Sequence, residues 1–161
     1  MATYFWSCIF CITPAELPTN PMDLHDDDDE VGNLIGTKQE AAEGNNELFI
    51  ETYTKSNALV DDLVDIYTEH KIDGFKFFDD VFAILDTEKI EKSLKDVEYL
   101  LEKTRKLYHP FDINIYYDEL ESGVDCDGGY PYLIWYLISI KKMFHHAINN
   151  GLYIIYVLVL P

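Results

Sequence analysis

Basic side chains are scarce in this sequence: 12 Lys and Arg stand against 30 Asp and Glu, leaving a formal charge of −18 on 161 residues. A surface of that sign repels nucleic-acid phosphates and anionic lipid heads, so direct binding to nucleic acid or to a membrane is not expected. Long apolar runs are missing too. The longest, Tyr132 to Ile138 and Leu152 to Leu160, fall well short of the roughly 18–20 residues that span a bilayer. The apolar start, Met1 to Ile12, has no positively charged segment and no small-residue cleavage site after it, so it does not read as a signal peptide. Cysteine is rare and odd in number: Cys8, Cys11 and Cys126 would leave one thiol unpaired in an oxidising compartment, which fits a reducing one. A soluble cytoplasmic protein is the resulting expectation. Also absent are a Gly-Xaa-Ser-Xaa-Gly elbow, a phosphate-cradling glycine loop and a dinucleotide fingerprint, so no cofactor is expected.

What is present is a core. Hydrophobic residues make up 48% and aromatics 14% of the chain, well above the content of a disordered acidic polypeptide. A chain of this length forms one domain, residues 1–161, without needing disulfides or metals for stability. The acid is unevenly spread. Residues 1–50 hold ten acids and one Lys, a net of −9; residues 51–161 hold twenty acids and eleven bases, also −9. From Gly128 to Pro161 there is no acid at all.

Residues 3–12 read as a strand, and Thr13-Pro14-Ala15-Glu16 has the capping-box pattern of a short helix. The charge run about His25 to Glu30 predicts an exposed acidic loop around 22–31. Gly32, Gly36 and Gly44 limit the next stretch to one or two helical turns over Lys38 to Glu43. Glu47 to Thr54 alternates as a strand does. From Ser56 or Asn57 a helix is predicted, with Leu59, Leu63, Ile66 and Tyr67 on one face and Asp61, Asp62, Asp65 and Glu69 on the other. Phe75 to Leu85 reads as either a short buried helix or a strand, and the spacing of Phe78, Phe82 and Leu85 favours the helix. Thr87 caps a long one with Ile90, Leu94, Val97 and Leu101 on its apolar stripe. Ile113 to Tyr117 reads as a short strand. Pro131 opens the strongest helix, ended by Gly151. Tyr153 to Leu160 is apolar throughout, as a strand covered on both faces is. The fold class is therefore α+β: a small sheet containing the N- and C-terminal strands, packed against several helices.

Several residue groups could carry chemistry. Cys8-Ile9-Phe10-Cys11 has half-motif spacing, but residues three apart on a strand point to opposite faces, so buried structural thiols are expected. The run Asp23 to Glu30 holds enough carboxylate oxygen for a hard cation but lacks the glycine and distal glutamate spacing of a calcium loop, and Val124 to Gly129 begins like an EF-hand loop but lacks its third acidic ligand and its terminal glutamate, so a solvated loop is expected at both. His145 and His146 are adjacent on a helix, about 100° apart, and cannot form a same-face metal pair. No metal site and no catalytic constellation is expected. The feature above background is the acidic face Asp61, Asp62, Asp65 and Glu69, extended by Asp79 and Asp80 and by the loop carboxylates Asp26, Asp27, Asp28 and Asp29, as a docking surface for a basic partner.

The helix and strand from Tyr132-Leu133-Ile134-Trp135-Tyr136-Leu137 through Lys141 to Gly151 and Tyr153 to Leu160, with the opening strand running into Thr13-Pro14-Ala15-Glu16-Leu17, resemble the YfbM-like family of small bacterial proteins. That resemblance implies an α+β fold and carries over no site residues. The reading reached is a non-enzymatic acidic protein of bacterial or phage type that binds and neutralises a basic protein, in the manner of a toxin-immunity protein. Two alternatives stand beside it: a small metal-dependent or hydrolytic enzyme using the acidic loop, and a DNA-mimicking inhibitor. The 12 Tyr and 9 Phe leave room for a homo-oligomer contact.

Overall fold

The computed structural model describes residues 4–18, 30–55, 68–69, 74, 76–107 and 130–159. Strands β1 (Tyr4–Ile12), β2 (Phe49–Lys55), β3 (Phe82–Leu85) and β4 (Tyr153–Val159) form one antiparallel sheet in the order β2-β1-β4-β3. With helices α1 (Glu30–Ala42), α2 (Thr87–Leu107) and α3 (Tyr130–Asn150), this is an α+β architecture. The N- and C-terminal strands lie side by side, in register from Trp6 opposite Val159 to Ile12 opposite Tyr153.

Both faces of the sheet are covered, which is why β1 and β4 are apolar at successive positions. Ile9, Cys11, Ile50, Leu85, Ile154 and Tyr156 face α2 and α3, meeting Ile90, Leu94, Val97 and Leu101 from the first and Tyr136, Ile140, Met143, Phe144 and Ala147 from the second. The intervening residues Cys8, Phe10, Ile12, Phe49, Ile155 and Val157 face the other way, onto Val31, Ile35 and Ala42 of α1. Period-two alternation in the strands thus sorts adjacent apolar residues into two separate cores.

Helix α3 ends as its sequence suggests. Gly151 has φ +64°, the Leu152 N–H donates to the Ala147 carbonyl at 2.9 Å and the Gly151 N–H to the Ile148 carbonyl at 3.4 Å, the paired bonds of a Schellman motif. Leu152 packs on the same core as Ala147, completing it. The start of α2 differs by one residue from expectation. Asp86, not Thr87, is the cap: its Oδ1 accepts the Lys89 N–H at 3.0 Å and its carbonyl accepts that of Ile90 at 2.9 Å.

Two further expectations are corrected. Residues 76–85 do not form one buried helix: a 3-10 turn at Lys76–Asp79 gives way to β3. Phe82 and Ile84 go to the α1 side and Ala83 and Leu85 to the α2–α3 side, so an apolar run that helical spacing also fits is resolved by the open edge of β4. Helix α1 is thirteen residues long, not one or two turns, and begins at Glu30, inside the span read as acidic loop; residues 22–29 lie outside the described ones. Gly32 and Gly36 sit exposed on its outer side. Their cost of about 1 kcal/mol each is outweighed by burying Val31, Ile35 and Ala42 on the sheet. Residues 56–67 and 113–117 also lie outside the described residues.

Among the described residues, one buried side-chain group is unsatisfied. The Tyr156 hydroxyl, on a fully buried ring edge-on to Phe77 and Phe78, has no hydrogen-bond partner among the described residues, and burial holds its pKa well above the usual phenol value. Removing it loses no hydrogen bond to any described residue. Tyr156→Phe is expected to raise stability by about 1 kcal/mol; a lowered urea midpoint would show that the hydroxyl is bonded after all.

Candidate functional site

The cysteine pair makes no site. Cys8 lies in the core under α1 and Cys11 in the core under α2 and α3, on opposite faces of β1. Both are free and buried. Burial pushes both thiols up, the Cys11 thiol to about 12 and Cys8 further, with Glu51 adding to the rise at Cys8. At neutral pH they are protonated and poor nucleophiles or metal ligands. The adjacent histidines diverge as well. His145 Nε2 stands 3.4 Å from Glu98 Oε1 on α2, whereas His146 Nδ1 stands 3.7 Å from Glu47 Oε2 beside β2. Among the described residues, no three His, Cys, Asp or Glu converge as metal ligands, and no helix is long and apolar enough to cross a membrane.

Of the acidic residues singled out by sequence, Asp26, Asp27, Asp28, Asp29, Asp61, Asp62 and Asp65 lie outside the described residues. Glu69 is helical and exposed. Asp79 ends the 3-10 turn before β3, and Asp80 is exposed just after it. These two stand at the β3 edge of the sheet.

At the opposite edge, the end of α1, the turn after it and the start of β2 carry a second acidic set that helix-face reasoning misses. Glu40, Glu43, Glu47 and Glu51 are all exposed there. The turn is built by backbone geometry: Glu43 and Gly44 have φ of +51° and +82°, and Gly44 supplies the left-handed position at no steric cost. Asn45 then organises the exit, its Oδ1 accepting the Glu47 N–H at 3.0 Å and its carbonyl those of Leu48 at 3.0 Å and Phe49 at 3.1 Å. Phe49 leads into β2 by stacking on Phe10 at 5.5 Å. Glu51, one pleat further, accepts a hydrogen bond from Gln39 Nε2 of α1 at 2.6 Å.

Little positive charge meets this set. No Lys or Arg occurs between Lys38 and Lys55. Lys38 is engaged elsewhere, with Nζ 2.9 and 2.6 Å from the two oxygens of Glu16. That ammonium, followed by the Thr13 N–H at 2.8 Å, holds the Glu16 carboxyl down at about 2. A sequence signal for the corner did exist: residues 39–54 carry four acids and no base. It is divided between a helix end, a turn and a strand, so no single periodicity displays it. Compared with protein-family models, curated proteins and solved structures, the chain matches none.

Proposed function

We propose that this chain is a non-enzymatic binding protein that captures and neutralises a basic protein partner, as an immunity protein does a toxin. The supporting observation is the α1–β2 corner, where Glu40, Glu43, Glu47 and Glu51 are exposed and the nearest sequence cation, Lys38, is paired with Glu16. Both sheet faces are occupied by the core, so recognition falls to the charged outer surface. A field of this sign accelerates the approach of a positive partner. The carboxylates at Glu69, Asp79 and Asp80, with Asp26 to Asp29 and Asp61, Asp62 and Asp65, belong to the same reading as further docking groups. The YfbM-like resemblance adds no residue to it.

The test uses the basic protein captured from the native host on immobilised chain, followed by its association kinetics. The association rate is expected to fall about tenfold or more as salt is raised from about 0.05 to 0.5 M. The triple charge reversal Glu40→Lys, Glu43→Lys and Glu47→Lys should reproduce that loss at low salt. A rate that is flat with salt, or indifferent to the reversal, removes the basis for the reading.

A further inference from the structure

Among the described residues, strand β2 is an edge of the sheet, and its hydrogen-bonding phase can be read from its neighbour. Its register with β1 runs from Tyr4 opposite Lys55 to Phe10 opposite Phe49. One step further, the Cys11 N–H donates to the Leu48 carbonyl at 3.0 Å, which marks that pair as hydrogen-bonded. Antiparallel pairs alternate. Ile50, Thr52 and Thr54 therefore direct their backbone groups at β1, and Phe49, Glu51, Tyr53 and Lys55 direct theirs away from it. The Phe49 N–H is already taken by the Asn45 carbonyl at 3.1 Å. What remains is a short run, Glu51, Tyr53 and Lys55, whose outward backbone donors and acceptors have no partner among the described residues.

That run is self-complementary. A two-fold axis through Tyr53 sets Tyr53 opposite its own copy, Glu51 opposite the second copy's Lys55 and Lys55 opposite the second copy's Glu51. Every outward donor then meets an acceptor, and the acid and the base face each other twice, the cross-strand arrangement that stabilises antiparallel pairs. Moving the axis by one residue, to Thr52 or Thr54, breaks both acid–base pairs, and moving it by two, to Glu51 or Lys55, sets like charges together. We infer that two copies of this chain pair through β2, antiparallel and centred on Tyr53, into one continuous sheet. A three-residue contact is small beside a standard interface, so the dimer is a weak one. Each copy carries −18, so long-range repulsion opposes it and salt strengthens it. The inference does not rest on the proposed capture of a basic partner, although Glu51 belongs to both surfaces, and the two are told apart because their salt dependences have opposite signs.

Sedimentation velocity on the full chain, from about 10 to 500 µM in about 0.05 and 0.5 M salt, tests it. Dimer is expected at the upper concentrations, more of it at high salt. Tyr53→Pro removes the central outward N–H, at a position where an edge strand tolerates proline, and should leave only monomer with unchanged far-ultraviolet dichroism. Glu51→Lys or Lys55→Glu alone sets like charges opposite each other and should weaken the dimer about tenfold or more; the two together should restore it. Monomer throughout at high salt, a dimer untouched by Tyr53→Pro, or a double swap no better than either single change would each overturn the pairing.

Discussion

Replacing Phe78 with alanine is expected to cost about 3–5 kcal/mol of folding stability, a large part of the roughly 5–15 kcal/mol that holds a domain together. Phe78 is 1% exposed and sits in the 3-10 turn ahead of β3. Its ring centroid lies 4.2 Å from Phe77, 5.0 Å from Tyr156 in an edge-on contact and 6.0 Å from Tyr136. It thus links the turn to β4 and to α3, and the rings around it belong to different elements that cannot all collapse into the space it leaves. Urea unfolding should show a lower midpoint with an unchanged slope. Val81→Ala, three residues on at 37% exposure, should cost no more than about 1 kcal/mol. A loss at Phe78 no greater than that at Val81 would mean that the aromatic cluster does not act as described.

The second large effect comes from adding a single methyl group. Gly74 is buried against α2: its N–H donates to Asp96 Oδ2 at 2.7 Å, and Ser93 Oγ donates to its carbonyl at 2.6 Å. A Cβ at this position would lie 3.0 Å from the Ser93 Cα and overlap the Asp96 carboxylate. The obstacle is partly helix backbone, which cannot swing aside as a side-chain tip can. Gly74→Ala is expected to destabilise by about 3 kcal/mol, from overpacking together with loss of the charge-assisted bond to Asp96. Gly36→Ala supplies the contrast. A Cβ there meets nothing within 4 Å, and alanine in a helix interior is worth about 0.5–1 kcal/mol over glycine. The same substitution should therefore lower the thermal midpoint at Gly74 and raise it at Gly36; a shift of the same sign at both would contradict the close approach of Gly74 to α2.

Where the pattern is long, the elements are legible in the residues. Ile90, Leu94, Val97 and Leu101 recur at helical spacing over α2, and Tyr136, Ile140, Met143, Phe144 and Ala147 do so over α3; over such a length no other period competes. The terminal strands are legible for a different reason, since their apolar residues fall at consecutive positions and only a strand covered on both sides uses them all. Phe82 to Leu85 is too short for periodicity to choose between helix and strand, and the choice is made by pairing with β4. Helix α1 runs through two glycines because Val31, Ile35 and Ala42 have a sheet face to cover, a fact that no local propensity contains. The acidic corner was hidden likewise. Glu40 and Glu51 are eleven positions apart, and only the turn at Glu43 and Gly44 returns the chain so that Gln39, next to Glu40, reaches across to Glu51.

By itself, then, the sequence determined the charge, the fold class and the neighbouring terminal strands, because these depend on composition and on runs long enough to carry one period. Which apolar residue enters which of the two cores, which end of the sheet gathers carboxylates and which backbone groups of β2 face outward were decided only by tertiary structure. Each of those depends on pairing between segments distant in the chain, and a shift of one residue in that pairing would turn every side chain of a strand to the other face.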